Sequence, residues 1–187
     1  MVSAGTGSSH GNAVREPVGE YWEGNSSQRR VDLATEKFVE RLTNSAEPAE
    51  IVRALWSAWQ KRDKAATLAL LADNIAFALL VPQDVLPFGG ETVGKASVSD
   101  RLQTILEQFD TLSYEGKVTR SHGDTVHGMV AYRFRHTVTR ETIDGVMRHV
   151  IQVRDGLIVR INEYHDIELV RAFMRLVSYA AAERIGR

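Results

Sequence analysis

The segment from His149 to Asp166, HVIQVRDGLIVRINEYHD, restricts the possible folds of this chain more than any other. Two runs of alternating apolar residues flank the dipeptide Asp155-Gly156, a pattern that predicts a β-hairpin. Because successive side chains of a strand point to opposite faces, the odd-numbered residues form one face of each arm. These residues are Met147, His149, Ile151 and Val153 on the first arm and Leu157, Val159, Ile161 and Glu163 on the second. The hairpin therefore builds one histidine and one carboxylate into an apolar wall.

The length of the hairpin loop decides whether the two apolar sets share a face. A two-residue loop made of that dipeptide turns them to opposite faces. A three-residue loop over 154–156, with the glycine in the left-handed conformation, pairs Val153 with Leu157 and keeps the sets together. We therefore predict the three-residue loop. In that register Glu163 lies diagonal to His149, roughly 7 to 8 Å away along the backbone.

Composition excludes several classes of function. The chain has 187 residues, 43% of them hydrophobic and 25% charged, enough for one sizeable core and a tail. Its 23 basic and 24 acidic residues leave no electrostatic footprint for nucleic acid or an anionic membrane. The absence of cysteine excludes disulfides and thiolate chemistry. Without a bilayer-length apolar run or an export signal at the start, we expect a soluble cytoplasmic protein that binds neither nucleic acid nor membrane.

The chain divides into a leader and one domain. Residues 1–30, rich in Gly, Ser and Asn, predict a disordered or loosely packed leader, and 31–44 a possible extra N-terminal helix. The domain covers 45–180. It begins with a helix that carries Trp56 and Trp59.

The order of the predicted elements indicates an α+β fold. Asp63 is expected to cap a second helix and Asp166 the last one, and the loop 82–94 carries Phe88 as an apolar rim or lid. The predicted strands and the remaining helices are 75–81, 112–121, 126–138 and the two hairpin arms, with helices at 97–109 and 167–179. Helices first and a meander of long strands afterwards place the helices on one face of a curved sheet.

Several of these segments together resemble the SnoaL-like family over about residues 46–177. They are the two-tryptophan helix, Asp63 with the following LALLADNIAF, Gly94-Lys95, RDGLIVRINEYHD and the closing helix. The most specific piece is the pattern DG-I-x-x-x-x-E-Y-x-D. The family belongs to a superfamily that contains ketosteroid isomerase, scytalone dehydratase, limonene epoxide hydrolase and nuclear transport factor two.

The resemblance implies a fold and a range of activities. The fold is a cone-shaped α+β barrel, a curved, mostly antiparallel sheet with helices packed on its concave face around one deep pocket. Members cyclise, isomerise, dehydrate or open epoxides, and many merely bind a ligand. The resemblance also implies a homodimer and neither metal nor cofactor.

The resemblance assigns roles and also excludes some. The places of the tyrosine and the general-base aspartate of ketosteroid isomerases hold Leu55 and Leu79, so that mechanism is not expected in its usual form. The Arg-x-Asp of limonene epoxide hydrolases is absent from the middle strand. Polyketide cyclases place an acid/base carboxylate on the last strand and a histidine on the strand before it. Glu163 and His149 stand at these places and are the predicted catalytic residues.

Two interpretations of this pair remain open. A carboxylate in an apolar pocket is expected to have a raised pKa, which suits the removal of a proton from carbon. His149 would then shuttle the proton or stabilise a developing oxyanion. The alternative is that Glu163 and His149 satisfy each other as a buried hydrogen-bonded pair in a structural cavity.

Other residues are expected to line the pocket because they share a face with the pair or lie on the helix or the lid. The predicted ligand-binding residues are Trp56, Trp59, Phe88, Tyr132, Phe134, His136, Ile151, Ile161 and His165. For Trp56, Trp59, Tyr132 and His136 ordinary packing is the alternative. His136, His149, Glu163 and His165 are also residue types that bind metal, but their spacing matches no metal motif, and we predict none. The apolar residues Val150, Ile158 and Tyr164 lie at even positions and are expected to face a partner subunit.

Two functions therefore remain. One is an acid/base enzyme that acts on a small apolar carbonyl-bearing molecule. The other is a non-catalytic binding or dimerisation module. An open cavity would favour the first, whereas Trp59, Phe88 and Phe134 packed onto His149 would favour the second.

Overall fold

The computed structural model describes residues 47–185. The predicted leader (1–30) and the possible helix at 31–44 lie outside these residues. Within them the chain forms four helices and six strands. In chain order they are α1 (Pro48–Gln60), α2 (Lys64–Ala69), β1 (Leu71–Leu79), β2 (Gly90–Val93), α3 (Lys95–Gln108), β3 (Phe109–His122), β4 (Thr125–His136), β5 (Thr142–Arg154), β6 (Leu157–Tyr164) and α4 (Ile167–Ile185).

The six strands form one curved, unclosed sheet in the order β2-β1-β6-β5-β4-β3. Its neighbouring strands are antiparallel except for β1 and β6, which are parallel. The helix α1 packs on β3, β4 and β5, and α3 packs on β1 and β3. The predicted α+β class with a mostly antiparallel sheet is confirmed. The strand β2 was not predicted, since its four residues lie in the glycine-rich loop and show no apolar alternation.

The turn between β5 and β6 differs from the prediction. Arg154 pairs with Leu157, so the loop has two residues, and the three-residue loop over 154–156 was wrong. Asp155 and Gly156 have φ angles of 50° and 75°. Positive φ at both central residues is typical of the type I′ turn, which matches the twist of the flanking strands.

A β-bulge next to this turn restores the predicted face. Val153 pairs with Ile158 but Gln152 pairs with Arg160, which leaves Val159 as an extra residue on β6. The extra residue reverses the alternation of β6 from that point on.

The register beyond the bulge brings the two polar residues together. His149 pairs directly with Glu163. They share a face as predicted, although the predicted diagonal placement was wrong.

The bulge also corrects the expectation for Ile158. This side chain is fully buried, and its backbone N–H donates to the carbonyl of Leu70 at 2.9 Å. Ile158 therefore belongs to the core and not to an outer face. Leu157 and Val159, predicted to face inward, are only half-buried.

Both predicted helix caps are confirmed. The Asp63 carboxylate accepts the N–H of Ala66 at 2.9 Å, and the Asp166 carboxylate accepts the N–H of Leu169 at 3.0 Å. The second cap lies between His165 and α4, which begins at Ile167. No helix within residues 47–185 is both long and apolar enough to cross a lipid bilayer.

Candidate active site

A cavity of about 120 Å³ lies between the sheet and the helices. This is roughly ten times the space that one buried water needs. Its wall is mostly aliphatic and aromatic and comes from α1, α3, α4 and the strands between them. The polar side chains in the wall are those of Thr67, Tyr114, Tyr132, His149, Glu163 and His165.

Most of the predicted ligand-binding residues line this cavity. They are Trp59, Phe88, Tyr132, Phe134, Ile161 and His165. Phe88 reaches the cavity from the loop between β1 and β2, in agreement with its expected place on a rim. Trp59, Phe88, Phe134 and His149 all lie in the wall of this cavity. The three aromatic side chains therefore do not fill the space beside His149.

Three predicted ligand-binding residues do not line the cavity. Ile151 is fully buried in the core further along β5. His136, at the end of β4, packs edge-on against Phe109 and accepts the N–H of Thr139 at Nδ1. Trp56 is buried under the sheet. The shared strand or helix face was predicted correctly, but the cavity occupies only part of that face.

Five side chains form a hydrogen-bonded series that we call the polar chain: Trp56, His149, Glu163, His165 and Tyr132. Glu163 stands at its centre. His149 Nε2 lies 3.1 Å from Oε2 of Glu163, and His165 Nε2 lies 2.6 Å from Oε1. Trp56 Nε1 lies 3.0 Å from His149 Nδ1, and the Tyr132 hydroxyl lies 3.3 Å from His165 Nδ1. One carboxylate therefore binds two imidazoles, each held at its other nitrogen by an aromatic side chain.

The position of one proton in the polar chain follows from geometry. An indole N–H can only donate, so Nδ1 of His149 must accept from Trp56. The proton of a neutral imidazole is then on Nε2, which donates to Glu163. His149 is therefore a fixed donor to the carboxylate.

The charge state of Glu163 differs from the sequence prediction. Burial raises the pKa of Glu163, but the hydrogen bonds from His149 and His165 lower it more, and the resulting pKa is below its ordinary value. The predicted raised pKa was wrong because the argument from an apolar pocket omitted two donors on one carboxylate. Glu163 is thus an ionised acceptor near neutral pH, with its side chain 15% exposed.

Two tyrosines, Tyr114 and Tyr132, line the cavity. Burial, and then the negative charge of Glu163, raise the pKa of Tyr132 to about 12. The same two causes raise the pKa of Tyr114 well above its ordinary value. Both hydroxyls therefore stay protonated near neutral pH. Tyr114 was missed, although the alternation of β3 could have placed it on the inner face.

Trp56 reaches His149 because two strand residues opposite it are glycines. A Cβ atom at Gly116 or Gly128 would overlap the indole ring of Trp56. At Gly128 that atom would also lie 3.2 Å from the carbonyl oxygen of Lys117. The need for glycine here arises from packing between distant elements, which the sequence does not display.

Arg101 on α3 is a further residue that the sequence analysis missed. Its buried guanidinium donates to the carbonyls of Phe77 at 3.2 Å and Gly90 at 2.9 Å. It thereby ties α3 to β1 and β2 beside the cavity. The available signal was an arginine within the helix's apolar stripe, between Val98 and Leu102.

The comparisons with known proteins agree with this architecture. The family model of the SnoaL-like domain matches residues 52–161, more than half of the chain. The chain belongs to the SnoaL-like family. No curated protein matches the sequence significantly.

Solved structures of this SnoaL-like protein's relatives share its fold. A candidate isomerase from Rhodopseudomonas palustris is 25% identical, with a TM-score of 0.59 over 67% of this chain and 92% of that one. An NTF2-like protein from Burkholderia xenovorans is 23% identical, with a TM-score of 0.60 over 71% and 98%. A candidate polyketide cyclase from Xanthomonas campestris is 20% identical, with a TM-score of 0.57 over 68% and 96%. These likenesses establish the cone-shaped α+β fold of the NTF2-like proteins for this chain.

Proposed function

We propose that this SnoaL-like protein binds a small apolar molecule with a carbonyl group and catalyses acid/base chemistry on it, of the cyclase, dehydratase or isomerase type. One observation carries the proposal. An ionised carboxylate, Glu163, stands in the wall of an open and otherwise mostly apolar cavity, held by two imidazoles. A buried charge with such an environment is more typical of a reactive site than of a core.

The wall favours an apolar ligand with an oxygen acceptor. Aliphatic and aromatic side chains bind the carbon skeleton by burying it. The hydroxyls of Tyr114 and Tyr132 remain protonated, so either could donate to a carbonyl oxygen. Leu55 and Leu79 both line the cavity. The two places that resemble the polar positions of ketosteroid isomerases are therefore apolar in this wall.

The proposed reaction uses Glu163 as the group that accepts a proton from a carbon beside the carbonyl and returns it to another atom of the ligand. His149 assists by holding the carboxylate in one orientation. Because its two donors make Glu163 a weak base, the carbonyl oxygen has to be stabilised at the same time. Donors aimed at such an oxygen are the usual means.

A second function, a non-catalytic binding module, is favoured by one observation. Within residues 47–185 no buried side-chain nitrogen or oxygen lacks a hydrogen-bond partner. A fully satisfied polar chain is also what a structural pair would require. In that case the cavity would bind its ligand without converting it, and the function of the protein would be the binding itself. The homodimer that the family resemblance implies would suit either function.

The two functions differ in proton exchange. We would first screen a panel of aryl methyl ketones for binding by thermal shift and then follow α-proton exchange in D₂O by NMR. The enzyme is expected to accelerate exchange of a bound ketone, and Glu163→Gln to keep binding but lose about 10²- to 10⁴-fold of the rate. Glu115→Gln, the same change at an exposed position of β3, is the matched control.

Each result has a separate meaning. Equal exchange by wild type and Glu163→Gln would contradict the role of the carboxylate. Binding without exchange in the wild type would support the binding module, and absence of both would contradict the proposed ligand class.

A further inference from the structure

The two imidazoles on Glu163 differ in what holds their second nitrogen. His149 Nδ1 faces the indole N–H of Trp56, which can only donate. His165 Nδ1 faces the hydroxyl of Tyr132, which can donate or accept. This difference separates the polar chain into a fixed half and a half in which protons can move.

The fixed half consists of Trp56 and His149, and His149 cannot take up a second proton without losing its hydrogen bond to Trp56. A second proton on His149 would point at the N–H of Trp56 across 3.0 Å. Trp56 is only 3% exposed and lies against Gly116 and Gly128, so its ring has no room to turn away. His149 therefore keeps one tautomer and one orientation as long as Trp56 is in place.

The other half can change its proton without moving heavy atoms. In one state the Tyr132 hydroxyl donates to Nδ1 of His165. In the other state His165 carries a proton at Nδ1 and donates it to the Tyr132 oxygen, and the hydroxyl hydrogen is free to point into the cavity. Glu163, 2.6 Å from Nε2 of His165, then supplies the opposite charge. Both His165 and Tyr132 line the cavity, whereas Trp56 does not.

We infer that His165 and Tyr132 form the proton-donating arm of the site and that Trp56 and His149 are positioning residues for Glu163. The inference rests on the proposed function and names the donor that it requires. Because Glu163 alone is a weak base, removal of a carbon proton needs protonation of the carbonyl oxygen in the same step.

The proton transfers balance as follows. Glu163 takes the carbon proton, the C–H bonding pair becomes the new C=C bond, and the C=O π pair takes the hydroxyl proton of Tyr132. Tyr132 is replenished by the Nδ1 proton of His165. Return of the enol proton through Tyr132 to His165, and of a proton from Glu163 to carbon, restores the site. In an isomerisation the receiving carbon is a second one, whereas in the D₂O assay Glu163 first exchanges its proton with solvent and returns a deuteron to the same carbon.

Further ionisable groups act on this arm from neighbouring elements. They are Arg101 on α3 and Tyr114 on β3, which interact with the charge of Glu163, and Asp166 before α4, which interacts with Tyr132. Arg101 stays charged and Tyr114 stays neutral near neutral pH. Asp166 is engaged as the helix cap. Tyr132 differs from Tyr114 in its hydrogen bond to His165, through which a donated proton can be replaced. Glu163, His165 and Tyr132 are therefore the groups that we assign to proton exchange with the ligand.

The first test needs no ligand. Imidazole nitrogens of the full-length protein labelled with ¹⁵N-histidine are observed by two-dimensional NMR, with His149 and His165 assigned through single His→Gln variants. We expect His149 to show the signals of the Nε2–H tautomer alone, because its Nδ1 accepts from Trp56. Trp56→Phe should remove this constraint and let the other tautomer of His149 appear, whereas Tyr132→Phe should change the Nδ1 signal of His165 and leave His149 as it is. An Nδ1–H signal of His149 in the wild type, or a His165 signal that Tyr132→Phe does not change, would overturn the inference.

The second test uses the ketone exchange assay. Tyr132→Phe and His165→Gln are each expected to lower exchange about 10²-fold or more at unchanged ketone affinity. Tyr164→Phe, outside the cavity on the same strand as Glu163, is the matched control. Loss of exchange in Glu163→Gln with full exchange in Tyr132→Phe and His165→Gln would overturn this inference and leave the proposed function standing. If the wild type exchanges no ketone, the proposed function fails, and the NMR signals alone decide the division of the polar chain.

Discussion

The packing of Trp56 on glycine leads to the sharpest stability prediction. In Gly128→Ala the new Cβ would overlap Cη2 of the indole, lie 2.6 Å from its Cζ2 atom and 3.2 Å from the carbonyl oxygen of Lys117. Neither neighbour can retreat, since one is a buried ring and the other is backbone in a sheet. The ring must therefore shift away from the strand and from His149.

The expected cost has two parts. Overpacking of a well-filled core typically costs about 1 to 3 kcal/mol. Loss of the Trp56–His149 hydrogen bond leaves buried polar groups without partners, which costs about 1 to 3 kcal/mol more. The smaller entropy of an alanine in the unfolded chain returns about 0.4 to 1 kcal/mol. We expect Gly128→Ala to lower the free energy of unfolding by about 1 to 5 kcal/mol, measured by urea denaturation.

A double-mutant cycle identifies the cause. Phenylalanine lacks the Cζ2 and Cη2 atoms of the indole, so in a Trp56→Phe background Gly128→Ala should cost less than about 1 kcal/mol. Gly123→Ala is the control, because Gly123 has a φ of 56° and open space around it. Its cost comes from the backbone alone and should be equal in both backgrounds. Equal costs of Gly128→Ala in the two backgrounds would refute the overlap with Trp56.

Three further predictions concern charge and capping. Because the pKa of Glu163 in the folded state is below its ordinary value, its ionised carboxylate stabilises the fold fully above about pH 4.5, and this stabilisation is lost as the pH falls further. The urea midpoint of Glu163→Gln should therefore fall less steeply than that of the wild type below this pH. Parallel plots of midpoint against pH would contradict an ionised Glu163. Arg101→Met should lower the free energy of unfolding by about 1 to 3 kcal/mol, because two backbone carbonyls lose a donor. Arg133→Ala, which removes an exposed ion pair, should lower it by less than about 1 kcal/mol. Equal losses would contradict a stabilising role of the two Arg101 hydrogen bonds. Asp63→Ala and Asp166→Ala should each cost about 1 kcal/mol in thermal unfolding, and no change would show that these caps are not needed.

The accuracy of the sequence predictions depended on the range of the interaction. The caps at Asp63 and Asp166 and the inner face of β5 follow from local spacing, and they were predicted correctly. The hairpin turn was not, because strict alternation leaves no place for a bulge at Val159. The shared face of His149 and Glu163 was right for a different structural reason. The structure differs from the prediction in a turn that is one residue shorter and in a bulge that adds one residue to β6. Each change alone would reverse the face of Glu163, and the two together restore it.

Periodicity and a family resemblance were enough to determine the class of fold, the inner face of β5 and the presence of a carboxylate and histidines beside an apolar pocket. The periodicity depends only on neighbours along the chain. Only the tertiary structure decided the charge state of Glu163 and the roles of its two histidines. Those properties depend on which groups meet across 93 residues, from Trp56 to His149, and across 33, from Tyr132 to His165. A hydrogen bond forms only within a range of a few tenths of an ångström. The pattern of residues in one segment does not determine such a distance to another segment.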